Sequence, residues 1–455
     1  MSDHPFYTKP SKLKKLRKLA TRIVPPQIAS TLEPTKKKAS RVKGTSDGSA
    51  KIPDGFCIMA WTSAHVATHG KISPCCEYQG DMGHVKSTTI KDVWDGQELG
   101  KLRKDMMSGK RVKACWRCLD REQNEGHSLR HSANERLKNW VEKVLDSDNP
   151  LEAAPEFPVS LDLRFSNLCN FSCRSCWHGA SSSWFKDGKS IGVVAGDKAE
   201  IRSFKSLDDM TSQISDGIQD LEELYFAGGE PLMMEEHYKL LELLISQGRT
   251  DVSLRYNTNM SLTKFRGRSV FDLWSKFDNV NIDASVDAAK ERGAYVRNGF
   301  KWEEFVTNMA ELRRKVPQAK VTFGITVSAL NILHLPDLLT SLIEECGAGV
   351  YDFTLHSLQA PDFYRTQVLP AELKKQASDQ LEAFTNFWIS QTNLNLQERI
   401  HFRFPIKGLC DYMNANDLSH LQKVLNRNTE NLDRLRSQNA SDVLPELNQV
   451  WNTMN

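Results

Sequence analysis

The sequence predicts an α/β protein: a partial (β/α)6 TIM-like barrel, preceded by a small cysteine-rich module and followed by a helical extension. Three observations carry this reading. From residue 158, short apolar runs alternate with longer stretches of helical periodicity. Eight of the ten cysteines fall in two groups, within 57–118 and 169–176. From about residue 366 the pattern is helical. Strands alternating with helices imply βα repeats and a parallel sheet. Right-handed crossovers curl such repeats into a barrel or part of one.

At 455 residues the chain is long enough for two or three domains. Residues 1–50 carry a net charge of +9 within a chain of net +3, so the remainder is mildly acidic. This stretch reads as a disordered basic arm. Within it Leu13, Leu16, Ala20 and Ile23 recur at helical spacing before "VPP". A solvated tail is the first reading; docking on an acidic surface, such as nucleic acid or a partner, is the other. No apolar run approaches the length of a membrane span, and the N-terminus lacks the apolar core of a secretory signal. The expected location is cytoplasmic, with no membrane partner. Disulfides are not expected in that compartment, so Cys346 and Cys410 read as inert thiols.

Residues 51–125 form the first cysteine region, with Cys57, Cys75, Cys76, Cys115 and Cys118. Between its cysteines "TTIKDVWDGQELGKLRKDMMSG" reads as one amphipathic helix, from the spacing of Ile90, Val93, Trp94 and Leu102. Residues 126–157 read as a connecting helix and linker. The core, 158–365, offers six strands: "VSLDLRFS", "LEELYFAG", "VSLRYNT", "VNIDASVD", "KVTFGITVS" and "VYDFTLHS". Helices between them include "EEHYKLLELLISQ", "WEEFVTNMAELRRK" and "LPDLLTSLIEE". The extension, 366–455, shows two helical patterns, "PAELKKQASDQLEAFTNFWIS" and "LSHLQKVLNRNTENLDRLRSQ".

The chemistry sits after the first core strand, in "CNFSCRSCW", with Cys169, Cys173 and Cys176. Parallel strands expose their sites at this C-terminal end. Thiolates bind soft metals and iron–sulfur clusters. Structural zinc wants four ligands, and a cubane of four irons normally takes four cysteines. Three thiolates leave one iron without a protein ligand, free to bind a small molecule.

The C-x-x-x-C-x-x-C spacing, the strand before it and "AGGEP" at the end of the second strand resemble the radical S-adenosylmethionine (SAM) superfamily. The resemblance covers roughly residues 55–360. It implies a 4Fe–4S cluster on Cys169, Cys173 and Cys176 and SAM on the open iron. It also implies reductive cleavage to a 5′-deoxyadenosyl radical, and hydrogen abstraction from a peptide, protein or small-molecule substrate. An external electron donor such as flavodoxin or ferredoxin is implied too. Ser175 stands where the family often has an aromatic residue, and Trp177 follows the last cysteine.

In "GGEP", Gly228 and Gly229 allow backbone approach to a ligand, and Glu230, before Pro231, adds an acceptor for an ammonium group. The resemblance assigns this motif to the methionyl amino group. It assigns the end of the fourth strand, Ser285 and Asp287, to the SAM ribose, against a strand-terminal turn. Arg297 suits the SAM carboxylate or a surface salt bridge. Val327 and Ser328 face adenine, or Val327 is core, with Asn331 beyond. Asn257 and Asn259 line the pocket or form a turn, and His356 faces the same opening or makes a structural hydrogen bond.

The first cysteine region resembles the twitch domain, the short form of the SPASM auxiliary-cluster module. That match implies a second 4Fe–4S cluster on Cys57, Cys75, Cys115 and Cys118, with Cys76 spare or substituting for Cys75. The family usually carries this module after the barrel. Two alternatives stand beside the leading reading: the same chemistry on RNA or another nucleic acid, supported by the basic arm, and a non-enzymatic zinc-binding interaction protein, because four cysteines with a closing C-x-x-C also suit zinc. No catalytic acid or base can be named.

Overall fold

The computed structural model describes residues 52–124 and 128–451; the basic arm expected at 1–50 lies outside them. Its strands include β1 (Ser63–Val66), β2 (Ile72–Ser73), β3 (Ser160–Leu163), β4 (Ser172–Cys173), β5 (Glu223–Phe226), β6 (Ser253–Thr258), β7 (Val280–Ser285), β8 (Arg297–Asn298), β9 (Lys320–Val327) and β10 (Phe353–Ser357). One eight-stranded sheet runs β10-β9-β7-β6-β5-β3-β1-β2. The six strands expected from the sequence, β3, β5, β6, β7, β9 and β10, are all parallel and neighbour one another in chain order. This is the partial parallel barrel that the sequence predicts.

The helices include α1 (Ile90–Trp94), α2 (Gln97–Met107), α3 (Trp116–Asn124), α4 (Leu129–Arg136), α5 (Lys138–Leu145), α6 (Trp184–Ser190), α7 (Leu207–Ser215), α8 (Glu235–Ser246), α9 (Lys290–Val296), α10 (Trp302–Lys315), α11 (Leu335–Cys346), α12 (Ala371–Gln391), α13 (Leu396–Ala415) and α14 (Gln422–Arg436). Helices α7, α8, α10 and α11 are crossovers of the barrel. None of the described helices is long and apolar enough to cross a membrane.

The strands alternate, and the alternation says what the barrel encloses. In β7, Val280, Ile282 and Ala284 are buried, whereas Asn281, Asp283 and Ser285 are half-buried. Leu161, Leu163, Leu224, Phe226, Leu254 and Tyr256 continue the buried face on β3, β5 and β6. Asp162, Tyr225 and Arg255 stand opposite one another on the other face. Successive side chains of a strand point to opposite sides. A barrel filled by its own residues would carry branched apolar side chains inward. Here the inward face is polar, so the sheet wraps a space suited to a polar ligand.

The N-terminal module is joined to the barrel through the sheet. Strand β1 pairs in parallel with β3, from Ser63 opposite Ser160 to Val66 opposite Leu163, and the Arg164 amide donates to the Val66 carbonyl at 3.0 Å. The first barrel strand thus has no open edge, which would otherwise template pairing with another chain. The module has its own core of Phe56, Trp61, Trp94, Leu102, Met106, Ala133 and Val141. The indoles of Trp61 and Trp94 donate to the carbonyls of Pro150 and Pro155, both at 2.8 Å.

Three expectations change. The single helix between the cysteines is two, α1 and α2. Thr89 and Asp92 cap the first reciprocally, and Gly96 opens the second in an extended conformation, so the apolar spacing continues across a break in the backbone. The connecting stretch holds two helices, α4 and α5, whose Ala133, Val141 and Val144 belong to the module core. Asn134 fastens α4 to the module by accepting from the Ile58 amide at 2.8 Å. The extension has a third long helix, α13, with Pro405 inside it; proline reads as a breaker, and tertiary packing of Phe402, Ile406, Leu409 and Met413 overrides it.

Trp61→Ala should lower stability by about 3–5 kcal/mol in urea unfolding. Because β1 and β3 share a ladder, module and barrel should unfold together; two separate transitions would contradict the shared sheet. His237, fully buried among Phe226, Tyr238 and Tyr256, is held neutral by burial, its pKa lowered from 6.5 to about 3. The unfolded chain takes up this proton first. Stability is therefore intact above about pH 6.5 and lost as pH falls toward about 3. His237→Gln should flatten that slope in urea unfolding at pH 7 and pH 5.

Candidate active site

Just beyond the end of β3 the chain must turn sharply to bring three thiols together. Asn167, fully buried, fixes the turn: its side-chain amide donates to the carbonyls of His178 and Ala199 at 2.7 and 2.9 Å, and its oxygen accepts from the Ile201 amide at 2.7 Å. Cys169 is held through its backbone by Ser182 and Ser183. Cys173 lies in β4, paired antiparallel with β8, directly opposite Arg297. The Trp184 indole donates to the Cys173 carbonyl at 2.7 Å, and the Cys176 amide donates to the same carbonyl at 3.0 Å.

The three cysteines are half-buried. Desolvation pushes all three thiol pKa values up, that of Cys169 to about 12. Cys173 adds to this at Cys169 and Cys176, Cys169 does so at Cys176, and Arg297 works against it at all three. Three desolvated thiols with a guanidinium near them would suit a cationic iron centre, which favours the thiolate. The next cysteine along the chain, Cys346, is buried in the core.

The "GGEP" turn presses against this loop. Gly228 and Gly229 have φ of +78° and +56°. A Cβ on Gly229 would stand 2.3 Å from the Leu168 carbonyl oxygen, and the Glu230 amide donates to that same oxygen at 2.7 Å. The Glu230 side chain, 1% exposed, points inward. It accepts from the Thr258 hydroxyl at 2.6 Å and the amides of Asn259 and Leu232 at 2.7 and 3.1 Å. Burial nevertheless raises its pKa above the usual carboxylate value. Glu230 therefore ties the turn to the end of β6. Pro231 opens the short 3-10 turn that follows. Asn259 completes the tie by donating to the Asn170 side chain at 2.9 Å, whereas Asn257 is exposed.

Arg297 makes an ion pair with Asp287 at 3.0 Å, the two side chains 12% and 2% exposed. The surface salt bridge weighed for it is thus a buried one. Its Nε has no hydrogen-bond partner among the described residues. Asp287 also accepts from the Thr326 amide at 2.8 Å. Asn331 clamps the ends of β7 and β9 by donating to the carbonyls of Asp287 and Thr326, and it accepts from Ser328. Val327 is fully buried in the core. Ser285 is half-buried on the inward face of β7, and His356 is exposed on β10.

In the module, Cys57 and Cys118 are buried and Cys75 and Cys115 half-buried. Desolvation raises all four pKa values, those of Cys57 and Cys115 to about 12 and about 11, and each is raised further by at least one thiol of the set or by acidic neighbours. Cys57 answers to Cys115 and Cys118, and Cys75 to Cys76 first and then to Cys57 and Cys118. Cys76 differs. Desolvation raises its pKa to about 11, and its charged neighbours are Arg164, Asp162 and Glu77. Its backbone belongs to the module, but its thiol lies beside the inward face of the barrel. Among the described residues no group of three or more histidine, cysteine or carboxylate side chains is gathered closely enough to hold a single metal ion. What fits the two sets to clusters is therefore their chemistry and not a preformed cage.

Sequence reasoning missed two groups. Arg174, between Cys173 and Cys176, is buried against the C-terminal extension. Asp162, Arg164 and His65 form a polar knot where module meets barrel. Burial lowers the pKa of His65, and against desolvation the Arg164 guanidinium, with a hydrogen bond to His65, keeps that of Asp162 low. A charged residue between cluster-spaced cysteines was the available signal for the first; nothing local marks the second.

The model of the radical SAM superfamily matches residues 163–339. The SPASM model, an iron–sulfur cluster-binding domain, matches residues 57–119. No curated protein matches the chain. Among solved structures, native anSMEcpe with bound AdoMet and Cp18Cys peptide is similar at 17% identity, covering 50% of this chain and 59% of that one, with a TM-score of 0.36. Streptococcus suis SuiB bound to S-adenosylmethionine is similar at 13% identity, covering 66% and 64%, with a TM-score of 0.35. The chain thus spans about three fifths of the length of the solved structures it matches.

Gly229→Ala should cost about 1–2 kcal/mol for the left-handed backbone alone. The added clash with the Leu168 carbonyl should make the variant lose at least tenfold in SAM affinity, measured by equilibrium dialysis on reconstituted protein. Cys75→Ser should lower the iron bound per chain, whereas Cys76→Ser should retain the wild-type amount.

Proposed function

We propose that this chain, which belongs to the radical SAM superfamily through residues 163–339 and carries a SPASM domain ahead of that core, is an enzyme that abstracts hydrogen from a polar substrate reached through the barrel. The observation that carries this reading is the loop of three cysteines, Cys169, Cys173 and Cys176, packed against a glycine turn. When bound, a 4Fe–4S cluster supplies one electron to SAM, whose cleavage yields methionine and a 5′-deoxyadenosyl radical that removes a hydrogen atom from the substrate.

The chain's own residues bind and orient. Cys169, Cys173 and Cys176 would hold the cluster, and three thiolates would leave one iron free for SAM. The backbone of Gly228 and Gly229 receives the ammonium group, since the Glu230 carboxylate is engaged by three internal donors. Glu230 and Pro231 keep that turn in place. Arg297, fixed by Asp287, supplies positive charge beside the thiolates and the SAM carboxylate. Ser285 lies on the inward face toward the ribose; Val327 acts from behind, as packing. Cys57, Cys75, Cys115 and Cys118 hold an auxiliary cluster, while Cys76 stays free. The polar inward face suits a peptide, protein or small-molecule substrate with hydrogen-bonding groups. A one-electron donor of the flavodoxin or ferredoxin class supplies the electron.

Anaerobic reconstitution should load about two 4Fe–4S clusters per chain. Dithionite and SAM should then yield 5′-deoxyadenosine. Replacing Cys169, Cys173 and Cys176 together by Ala should abolish that product and leave about one cluster. Zinc without iron and sulfide in the wild-type protein would overturn the reading.

A further inference from the structure

The thiol loop belongs to the barrel, but the residue at its centre is held by the C-terminal extension. Arg174 is 1% exposed. Its guanidinium lies 3.7 Å from the centre of the Tyr295 ring, and its Nε donates to the Tyr295 carbonyl at 3.0 Å. Its Nη2 pairs with Asp433 on α14 and donates to Gln438 Oε1 at 2.9 Å. Asp433 is fixed in turn: it accepts from the Tyr295 hydroxyl at 3.0 Å and the Ala440 amide at 2.7 Å.

One turn further along α14, Arg436 grips the loop from behind. Its Nε and Nη2 donate to Asp187 at 2.9 and 2.8 Å, and its guanidinium lies 5.7 Å from the Trp184 ring centre. Trp184 is the residue that donates to the Cys173 carbonyl. Helix α14 ends just after Arg436, where Ser437 takes φ of +53° and the Gln438 amide donates to the Asp433 carbonyl at 2.9 Å. That left-handed turn returns Gln438 to Arg174.

A buried arginine is unfavourable unless paired and hydrogen-bonded, and apolar residues of similar volume would pack this junction at least as stably. The ion pair instead joins the loop between two thiols to one carboxylate 259 residues away. We propose that Asp433 is a positioning residue for the three-thiol site, and that residues 433–438 form a clamp that sets the spacing of Cys169, Cys173 and Cys176 through Arg174 and Trp184. The inference rests on reading those thiols as cluster ligands.

Hydrogen exchange on cofactor-free, full-length protein tests the clamp without any cluster chemistry. Asp433→Ala should raise exchange across 169–177 at least tenfold and leave β5 and β6 unchanged. After reconstitution the same variant should keep the module's iron, about half the total, and bind SAM at least tenfold more weakly. Asp433→Asn, which retains acceptors without the charge, should fall between. Asp411→Asn, on the exposed face of α13, should match wild type. A folded Asp433→Ala with wild-type exchange at 169–177 and wild-type SAM affinity would overturn the proposal. Should Asp433→Ala fail to fold, Gln438→Ala decides: it should loosen the same segment in exchange, and wild-type exchange would overturn the clamp. If wild-type protein binds no SAM, the cofactor reading fails, while the exchange result still decides the clamp.

Discussion

The contact on which the rest depends is the one between the Leu168 carbonyl and the turn at Gly229. The backbone of one loop lies so close to the backbone of another that a single methyl group would not fit. That approach joins the loops after β3 and β5. Glu230 then ties them to the end of β6, and Asn259 closes the triangle on Asn170. Three strand ends are locked together, and the thiols sit on the first. That lock orders the backbone that carries the thiols, so less conformational entropy is left to be lost when a ligand binds there.

Electrostatics follows from that geometry. Thiols drawn together and partly removed from water resist ionisation, so the loop on its own favours neutral sulfur. Arg297 opposes this, and Asp287 holds Arg297 in place from the neighbouring strand. Farther down the barrel the inward face stays polar, with Asp162, Arg164 and His65 at the seam between barrel and module. The Cys76 thiol lies at the same seam, beside Arg164 and Asp162, and also raises the pKa of the adjacent Cys75. Polar side chains thus stand at the seam between the barrel, with its three cysteines, and the module, with its five.

What could be read from the sequence was local. The six parallel strands were legible because each carries a short apolar run between helical stretches, and the three-cysteine spacing because it lies within one loop. The inward direction of Glu230 was not legible: nothing in "GGEP" says that Thr258 and Asn259 will reach it. Arg297 read as a ligand contact or a surface pair, since its partner Asp287 meets it only once β7 and α9 are packed. Strand β1 was invisible because "SAHV" has no alternation and finds its place only against β3. Helix α13 was hidden by Pro405, and the break at Gly96 by an apolar period that runs on across it. Each miss is a tertiary contact overriding or completing a local pattern.

The central claim is that Cys169, Cys173 and Cys176 hold a cluster with one iron open to SAM. Electron paramagnetic resonance tests it most directly, on reduced protein whose module set has been removed by Cys115→Ala and Cys118→Ala, so that one kind of cluster remains. The expected result is a reduced 4Fe–4S signal whose g values shift when SAM is added. An intact cluster whose signal does not change in saturating SAM would contradict the account.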